Sequence, residues 1–582
     1  MIFTKNKNFH KNKKKDSFST SHIDSVKIIP LGGLDGIGKN MQLIQYKDEI
    51  IIIDAGMMFP DETMPGIDKV IPDMTYISEN KDKVKAIILT HGHEDHIGAL
   101  SFLFDEINVP IYATKFTMAL AENRLKGYQK KQIKKNIIKS RDVVQIGSFS
   151  IEFIQVNHSV PDGVGLAIKT PAGTIVHSGD FKIDFNAIDN RVIDLNRFAE
   201  IGDKGVLVFL SDSTNAEKAG FTSSESIVGE SFEKIIKNAP KRVIVATFAS
   251  NIHRIQQVIN ASICYNRKIF VLGKSIEDSV TIAENLGYLH YPQTSRISNL
   301  ENLKKVRPNK ITIITTGSQG EPMSALTRMA KQEYGKLKID ASDTIIISAT
   351  PIPGNEKQVT RNVDKIFRLG ANVIYEAESD VHVSGHACRE EQKILLSLVK
   401  PKFFIPVHGE YRHLKYHAKL AESLGIPKKN ILVPRNGDIL EFSPNEVKCT
   451  GKVNADSVLV DGLGLGEKDN IVLQERKILA REGIILVFLT VSLRNKKMLS
   501  PPIVKSRGFV YVEEYDELIK KTIDTVKDKF NKIMSYNDNK NINHKTISND
   551  IRKHLRDFLY KKTHRRPVVL VAINSFDHQK NK

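Results

Sequence analysis

The stretch KAIILTHGHEDHIGAL, residues 85–100, places His91, His93, Asp95 and His96 in one turn behind an apolar run. Neutral imidazole nitrogen and carboxylate oxygen are ligands for zinc, and a catalytic zinc keeps one position open for water. In an extended strand exit, His91 and His93 stand two apart, point the same way and share one metal. Asp95 and His96 begin the next turn and face a neighbouring one, so one loop supplies ligands for two ions. More ligands must come from elsewhere. Three residues stand in the same local setting, directly after apolar strand-like runs: His158 after FSIEFIQVN, Asp180 after GTIVHSG and His408 after KFFIPV. A single polar residue after a strand is usually a cap or a turn former; the repetition of one placement is what points to a metal centre. Asp54, at the exit of EIIIID, has no evident fellow ligand nearby and is expected to orient a histidine N–H.

Elements that would bring these residues together are legible around them. From residue 26, short β-branched runs alternate with Gly, Asn, Asp or Pro turns, and helical patterns fall at 114–139 and 223–238. From about 227 to 385 the rhythm becomes strand then helix, the pattern of βαβ units around a parallel sheet. After 386 the first domain resumes. In such α/β layers the strand exits line one edge, and functional groups gather there. Glycines in KVNADSVLVDGLGLG suggest a joint, and the segment from about 505 to 575 reads as a small α+β module.

Bulk composition narrows the function classes. At 582 residues the chain exceeds one ordinary core. Lysine and arginine number 86 against 67 acidic residues, a net charge of +19. That surplus favours a polyanionic partner, with a merely solvated basic surface as the alternative. The three cysteines are far apart and form no CxxC, so neither a disulfide framework nor a thiolate site is indicated, and a reducing, cytoplasmic setting is expected. The longest apolar run, GIILVFLTVSL, falls far short of the roughly 20 residues that span a bilayer. The lysine- and asparagine-rich residues 1–22 read as a disordered basic arm, not a secretory signal.

HGHEDHIG resembles the HxHxDH motif of the metallo-β-lactamase superfamily, and Asp54, the cluster, His158 and Asp180 follow its order. The insertion, with SDSTN before it and HVSGH after it, resembles the β-CASP subgroup of nucleic-acid-processing enzymes. Within that group PKFFIPVHGEY, TGSQGEPMSAL and HVSGHA resemble the bacterial ribonuclease J family.

The resemblance implies an α/β fold: a metallo-β-lactamase αββα sandwich over 23–226 and 386–466, an inserted parallel-sheet β-CASP domain over 227–385, a linker over 467–504 and a C-terminal α+β domain over 505–582. It implies that His91, His93 and His158 hold one zinc, that Asp95, His96 and His408 hold a second, and that Asp180 bridges them. Asp212, His386 and His408 match the subgroup's motif positions, and a histidine at the last of these resembles the RNA-acting branch. His386 is the expected proton donor or phosphate stabiliser, with Asp212 setting its orientation. His382, Val383, Ser384, Gly385 and His386 form the expected substrate-phosphate site. TTGSQGEP at 315–322 reads as a second anion site at a helix N-terminus, or as a plain β–α turn.

The function so implied is a zinc-dependent ribonuclease with 5′-to-3′ exonuclease and endonuclease activity, favouring 5′-monophosphate single-stranded RNA in its maturation and decay. The C-terminal domain is the expected homodimer or higher oligomer interface, with other RNA-decay proteins as possible partners and no membrane. The rivals are a scaffolding subunit of an RNA-decay complex, a DNA nuclease of the same fold, and small-substrate hydrolysis by the same metal core.

Overall fold

Strand Glu49–Ile53 is buried along Ile50–Ile53, as a strand covered on both faces must be. Alternation then sorts its side chains. Ile51 and Ile53 join a core with Phe149, Phe153, Leu166, Val208 and Ile405. Ile50 and Ile52 join one with Ile97, Leu100, Phe104 and Phe116. This is the computed structural model of the protein, describing residues 24–61, 63–335, 337–352, 355–375, 380–462, 464–467, 471–509, 512–536 and 543–576. The expected basic arm at 1–22 lies outside the described residues.

By contact the chain divides into two units, one comprising residues to Met58 and Ile71–Asp456, the other Phe59–Val70 and Ser457–Lys582. The first unit holds an eight-stranded and a six-stranded sheet. Each strand sends alternate residues into the inter-sheet core and the remainder toward helices. On the far side of the six-stranded sheet, Ile154, Val176, Phe209 and Phe404 pack against Phe198, Leu395, Leu396 and Leu420 of three helices. The layer order is therefore helix, sheet, sheet, helix.

The insert contributes a five-stranded sheet in the order Lys268–Leu272, Ile311–Thr315, Val243–Ala246, Thr344–Ile347, Asn372–Ile374. All its pairings are parallel. The chain leaves the sandwich after strand Val206–Asp212 and returns through helix Arg389–Val399 to strand Pro401–Val407, which pairs in parallel with the strand it left. That return path lays SDSTN and HVSGH side by side: Asn215 bridges to Cys388.

Two expectations need correction. Within the helical pattern 114–139, helices Lys115–Arg124 and Gly127–Gln132 are followed by a strand, Lys135–Ile138, at the edge of the eight-stranded sheet. Lysines are tolerated there because an edge strand is open to water. The span 467–504 is not a linker. It contains helix Ile471–Glu482 and strand Ile484–Ser492, which pairs with Lys497–Met498, Ile503–Arg507 and Val568–Ser575 as the centre of the C-terminal sheet. Its Ile485, Val487, Leu489 and Val491 pack at a period of two against Phe530, Ile551, Leu555 and Leu559 of two helices. Gly483, at φ +76, turns helix into strand; a Cβ there would lie 2.4 Å from the Gly508 carbonyl oxygen. Among the described residues no helix is long and apolar enough to cross a membrane.

Candidate metal centre

Strand Val84–Ile88 runs into the buried Leu89, Thr90 and His91, and a short helix begins at Glu94. The next strand over, Glu49–Ile53, ends at Asp54, which takes a left-handed conformation at φ +62. His408, after Pro401–Val407, is also left-handed at φ +55. Asp and His are among the few side chains that tolerate this region, and strain of this kind gathers at functional sites. Asp54 spends its carboxylate on the loop opposite: Oδ1 accepts from the Thr90 N–H at 2.8 Å, and Oδ2 accepts from Thr90 Oγ1 at 2.8 Å and His96 Nδ1 at 2.7 Å. Donation from Nδ1 fixes the His96 tautomer and frees Nε2 as a ligand atom.

Two donor groups share one carboxylate. The first contains His91, His93, His158 and Asp180, the second Asp95, His96, Asp180 and His408, each with ligand atoms within 4.8 Å of one another. His93 Nδ1 lies 3.0 Å from His91 Nε2 and 3.0 Å from His158 Nε2. Asp180 Oδ2 is 3.2 Å from His96 Nε2, 3.6 Å from His91 Nε2 and 3.8 Å from His158 Nε2. On the other flank, Asp95 Oδ2 lies 3.0 Å from His408 Nε2 and 3.6 Å from His96 Nε2.

These donors fit metal ions. His158 donates a hydrogen bond from Nδ1–H to the Gly385 carbonyl at 2.8 Å, so its Nε2 is a bare lone pair facing His93. Lone pairs at such separations repel unless a cation lies between them, and ligands at about 2.05 Å in a tetrahedron stand roughly 3.3 Å apart. The buried Asp180 Oδ2 makes no hydrogen bond among the described residues, an unmet need that costs stability unless a ligand satisfies it.

Electrostatics sort the rings. Burial pushes His91 and His158 well below the ordinary histidine range and His93 to about 4, the neutral state a ligand requires. Burial also acts on His96 and His408, yet Asp180 leads the carboxylates that lift His96 well above its usual value and His408 to about 10. Despite burial, Asp180 is held well below the carboxylate range by His408, His96 and His91. Asp95 and Asp212 lie low as well, by charge from His96 and His386 respectively. The neutral rings of His91, His93 and His158 beside buried carboxylates, which are strong enough to hold protons on His96 and His408, make a centre that attracts cations.

Asp212 and His386 complete a third group with Asp180 and His408. His386 Nδ1 donates to Asp212 Oδ2 at 2.8 Å, and the His386 and His408 rings stack at 5.3 Å between centroids. The other Asp212 oxygen accepts from the Thr214 N–H at 2.9 Å and Thr214 Oγ1 at 2.8 Å. Of residues 382–386, only His386 reaches the ligand groups. Gly385 acts through the carbonyl that orients His158, and a Cβ on it would lie 2.8 Å from that ring. Ser384 Oγ accepts from Asn215 Nδ2 at 2.8 Å and the His386 N–H at 3.1 Å. His382 is instead bonded through Nδ1 to Thr350 Oγ1 at 2.7 Å. The Val383 side chain is buried in an apolar core, so a part for Val383 in a phosphate site falls to its backbone.

At 315–322 the helix that follows begins only at Ala325 and has six residues, so a turn is what stands there. Thr90, Thr214 and Asn40, whose Nδ2 donates to the Asp95 carbonyl at 3.1 Å, were not singled out from sequence. A threonine or asparagine at a strand exit reads as an ordinary turn former.

An αββα sandwich with this donor set at its strand exits, interrupted by a parallel-sheet domain, defines a metallo-β-lactamase-fold hydrolase of the β-CASP type. Family models agree along the chain: the metallo-beta-lactamase superfamily at residues 34–246, the ribonuclease J beta-CASP domain at 240–366, a Zn-dependent metallo-hydrolase RNA specificity domain at 371–434 and the ribonuclease J C-terminal domain at 471–576. Ribonuclease J2 of Bacillus subtilis is 42% identical, covering 95% of this chain and 99% of its own. Ribonuclease J 1 of Streptococcus pyogenes is 42% identical over 94% and 98%, and ribonuclease J of Helicobacter pylori 42% identical over 95% and 80%. The chain belongs to the ribonuclease J family of metal-dependent nucleases.

Proposed function

We propose that this protein hydrolyses RNA phosphodiesters with two zinc ions, removing nucleotides from 5′-monophosphate ends and also cutting internally. The observation that carries the reading is the convergence of two donor groups on Asp180 with His386 at their edge. His91, His93 and His158 would hold one ion, Asp95, His96 and His408 the other, with Asp180 shared. Zinc at these donors supplies an acidified water and neutralises charge developing on the phosphate. The chain's own part is geometric. Asp54, the Gly385 carbonyl and Thr214 fix the tautomers and ring planes of His96, His158 and His408. Because Asp212 accepts the hydrogen bond from His386 Nδ1, the other ring nitrogen is left to meet the substrate. There it donates a proton to the departing sugar oxygen or to a phosphate oxygen.

In the C-terminal module, helices cover one face of the sheet, while Phe488, Ile503 and Leu570 are exposed. An exposed apolar sheet face of this kind supports self-association there.

The test is a labelled RNA bearing 5′-monophosphate, 5′-triphosphate or 5′-hydroxyl, with matched DNA, followed by product analysis. Mononucleotides should appear fastest from the monophosphate RNA. A preference for DNA, or RNA binding without cleavage by the zinc-loaded protein, would overturn the reading in favour of a DNA nuclease or a scaffolding subunit.

A further inference from the structure

Arg254, in the first turn of helix Ile252–Cys264 of the insert, is fully buried. A buried guanidinium must have every donor answered, and the partners here are informative. Nε and Nη2 fork onto the two oxygens of Glu225 at 2.8 and 2.9 Å. Nη1 donates to the Ser348 carbonyl at 3.1 Å, and Nη2 also donates to the Val383 carbonyl at 3.2 Å. Ser348 in turn sends its hydroxyl to the Val381 carbonyl at 2.6 Å. The side chain thus joins both places where the chain crosses between sandwich and insert, and it grips the returning strap just before Ser384, Gly385 and His386.

Glu225 extends the network. Its backbone N–H donates to Asp184 Oδ2 at 3.0 Å, and Lys182 Nζ lies 3.3 Å from that same oxygen. The Lys182 N–H reaches the Asn157 carbonyl at 2.8 Å, and the Asp184 N–H reaches Asn157 Oδ1 at 3.3 Å, one residue before His158. Four buried charged residues, Arg254 and Lys182 at the ends with Glu225 and Asp184 between them, thus run from the insert to the backbone beside one donor group.

We propose that Arg254 is a positioning residue: with Glu225 it fixes the 381–386 strap, and so sets where His386 and the His158-orienting Gly385 carbonyl stand relative to the metal donors. This rests on the reading of the centre as an RNA hydrolase. Arg254 touches none of the donor groups, so it acts through the backbone alone. Lysine would keep the charge and lose the fork.

The experiment compares Arg254→Lys, and a double variant Arg254→Met with Glu225→Met, against the parent. The double change removes both charges together, because a lone buried partner is what unfolds proteins. In the zinc-loaded proteins, amide exchange across 381–388 should speed up at least about tenfold in the double variant while the sandwich strands stay protected. Zinc content should stay at the parent value, kcat on 5′-monophosphate RNA should fall at least about tenfold, and KM should move less than about threefold. Arg254→Lys should fall between parent and double variant in both exchange and kcat, and it serves alone if the double variant does not fold. Parental exchange across 381–388 in a folded variant, or kcat within about twofold of parent, would overturn the proposal. Should the parent prove not to cut RNA, the exchange measurement still decides the positioning role separately.

Discussion

At the exits of the sandwich strands stand Asp54, Thr90 with His91, His158, Asp180, Asp212 and His408. At the exits of the inserted parallel sheet stand Thr247, Thr315 with Thr316, and Ser348. Both sets are strand ends in α/β layers. In the insert, neutral groups answer one another: Thr315 Oγ1 donates to the Leu272 carbonyl at 3.0 Å and Ser348 Oγ to the Val381 carbonyl at 2.6 Å. In the sandwich, His158 is held through Nδ1 and keeps Nε2 as a lone pair, and Asp180 Oδ2 accepts no hydrogen bond among the described residues. For the groups named, what separates the two edges is unmet valence rather than polarity.

The largest effect should come from removing the atom with the greatest unmet need. Asp180→Ala takes the shared carboxylate from all three groups. Elemental analysis should find less than half the parent's metal, and RNA cleavage should fall by about a thousandfold or more. Full metal content in that variant would mean that the two groups do not depend on a common ligand. A smaller and different loss is expected at His386, whose ring is partly exposed and held by Asp212. His386→Ala should keep the parental metal content and lose about 10²- to 10⁴-fold in rate, the span of a general acid–base group. Near-parental turnover would remove it from the chemistry.

The same contrast explains what was legible in the sequence. Candidate ligands announce themselves because titratable residues are rare directly after apolar strands, and HGHEDH, His158, Asp180 and His408 could be picked out before any fold was known. The sandwich strands were legible as short apolar runs such as Ile50–Ile53, whereas their αββα arrangement was implied by the resemblance of the motifs. Groups that answer other groups were not. Thr214 and Asn40 look like turn formers, and Arg254 looks like a solvated helix residue until Glu225, 29 positions earlier, is brought against it. That the Val383 side chain turns into an apolar core was not legible, because a motif carries no record of which way each side chain faces. Strand Ile484–Ser492 fell within the expected linker because the alternation that makes it a strand follows a glycine-rich stretch.

The smallest effect sharpens the contrast from the insert's side. Gln319, buried after strand Ile311–Thr315, has its amide fully engaged between neighbours: Nε2 donates to the Thr350 carbonyl at 2.9 Å, and Oε1 accepts from the Ile352 N–H at 2.7 Å. It ties the exit of one strand to the exit of another without any charge. Gln319→Ala removes both bonds and takes the partner from a backbone N–H, a loss of about 1–3 kcal/mol. Urea denaturation of the zinc-loaded protein should show a lower midpoint at unchanged slope. Metal content should be unaffected, because no donor to either group is touched. A loss of metal on this substitution would mean that the insert's exits support the centre directly, and the division between answered and unanswered strand ends would not hold.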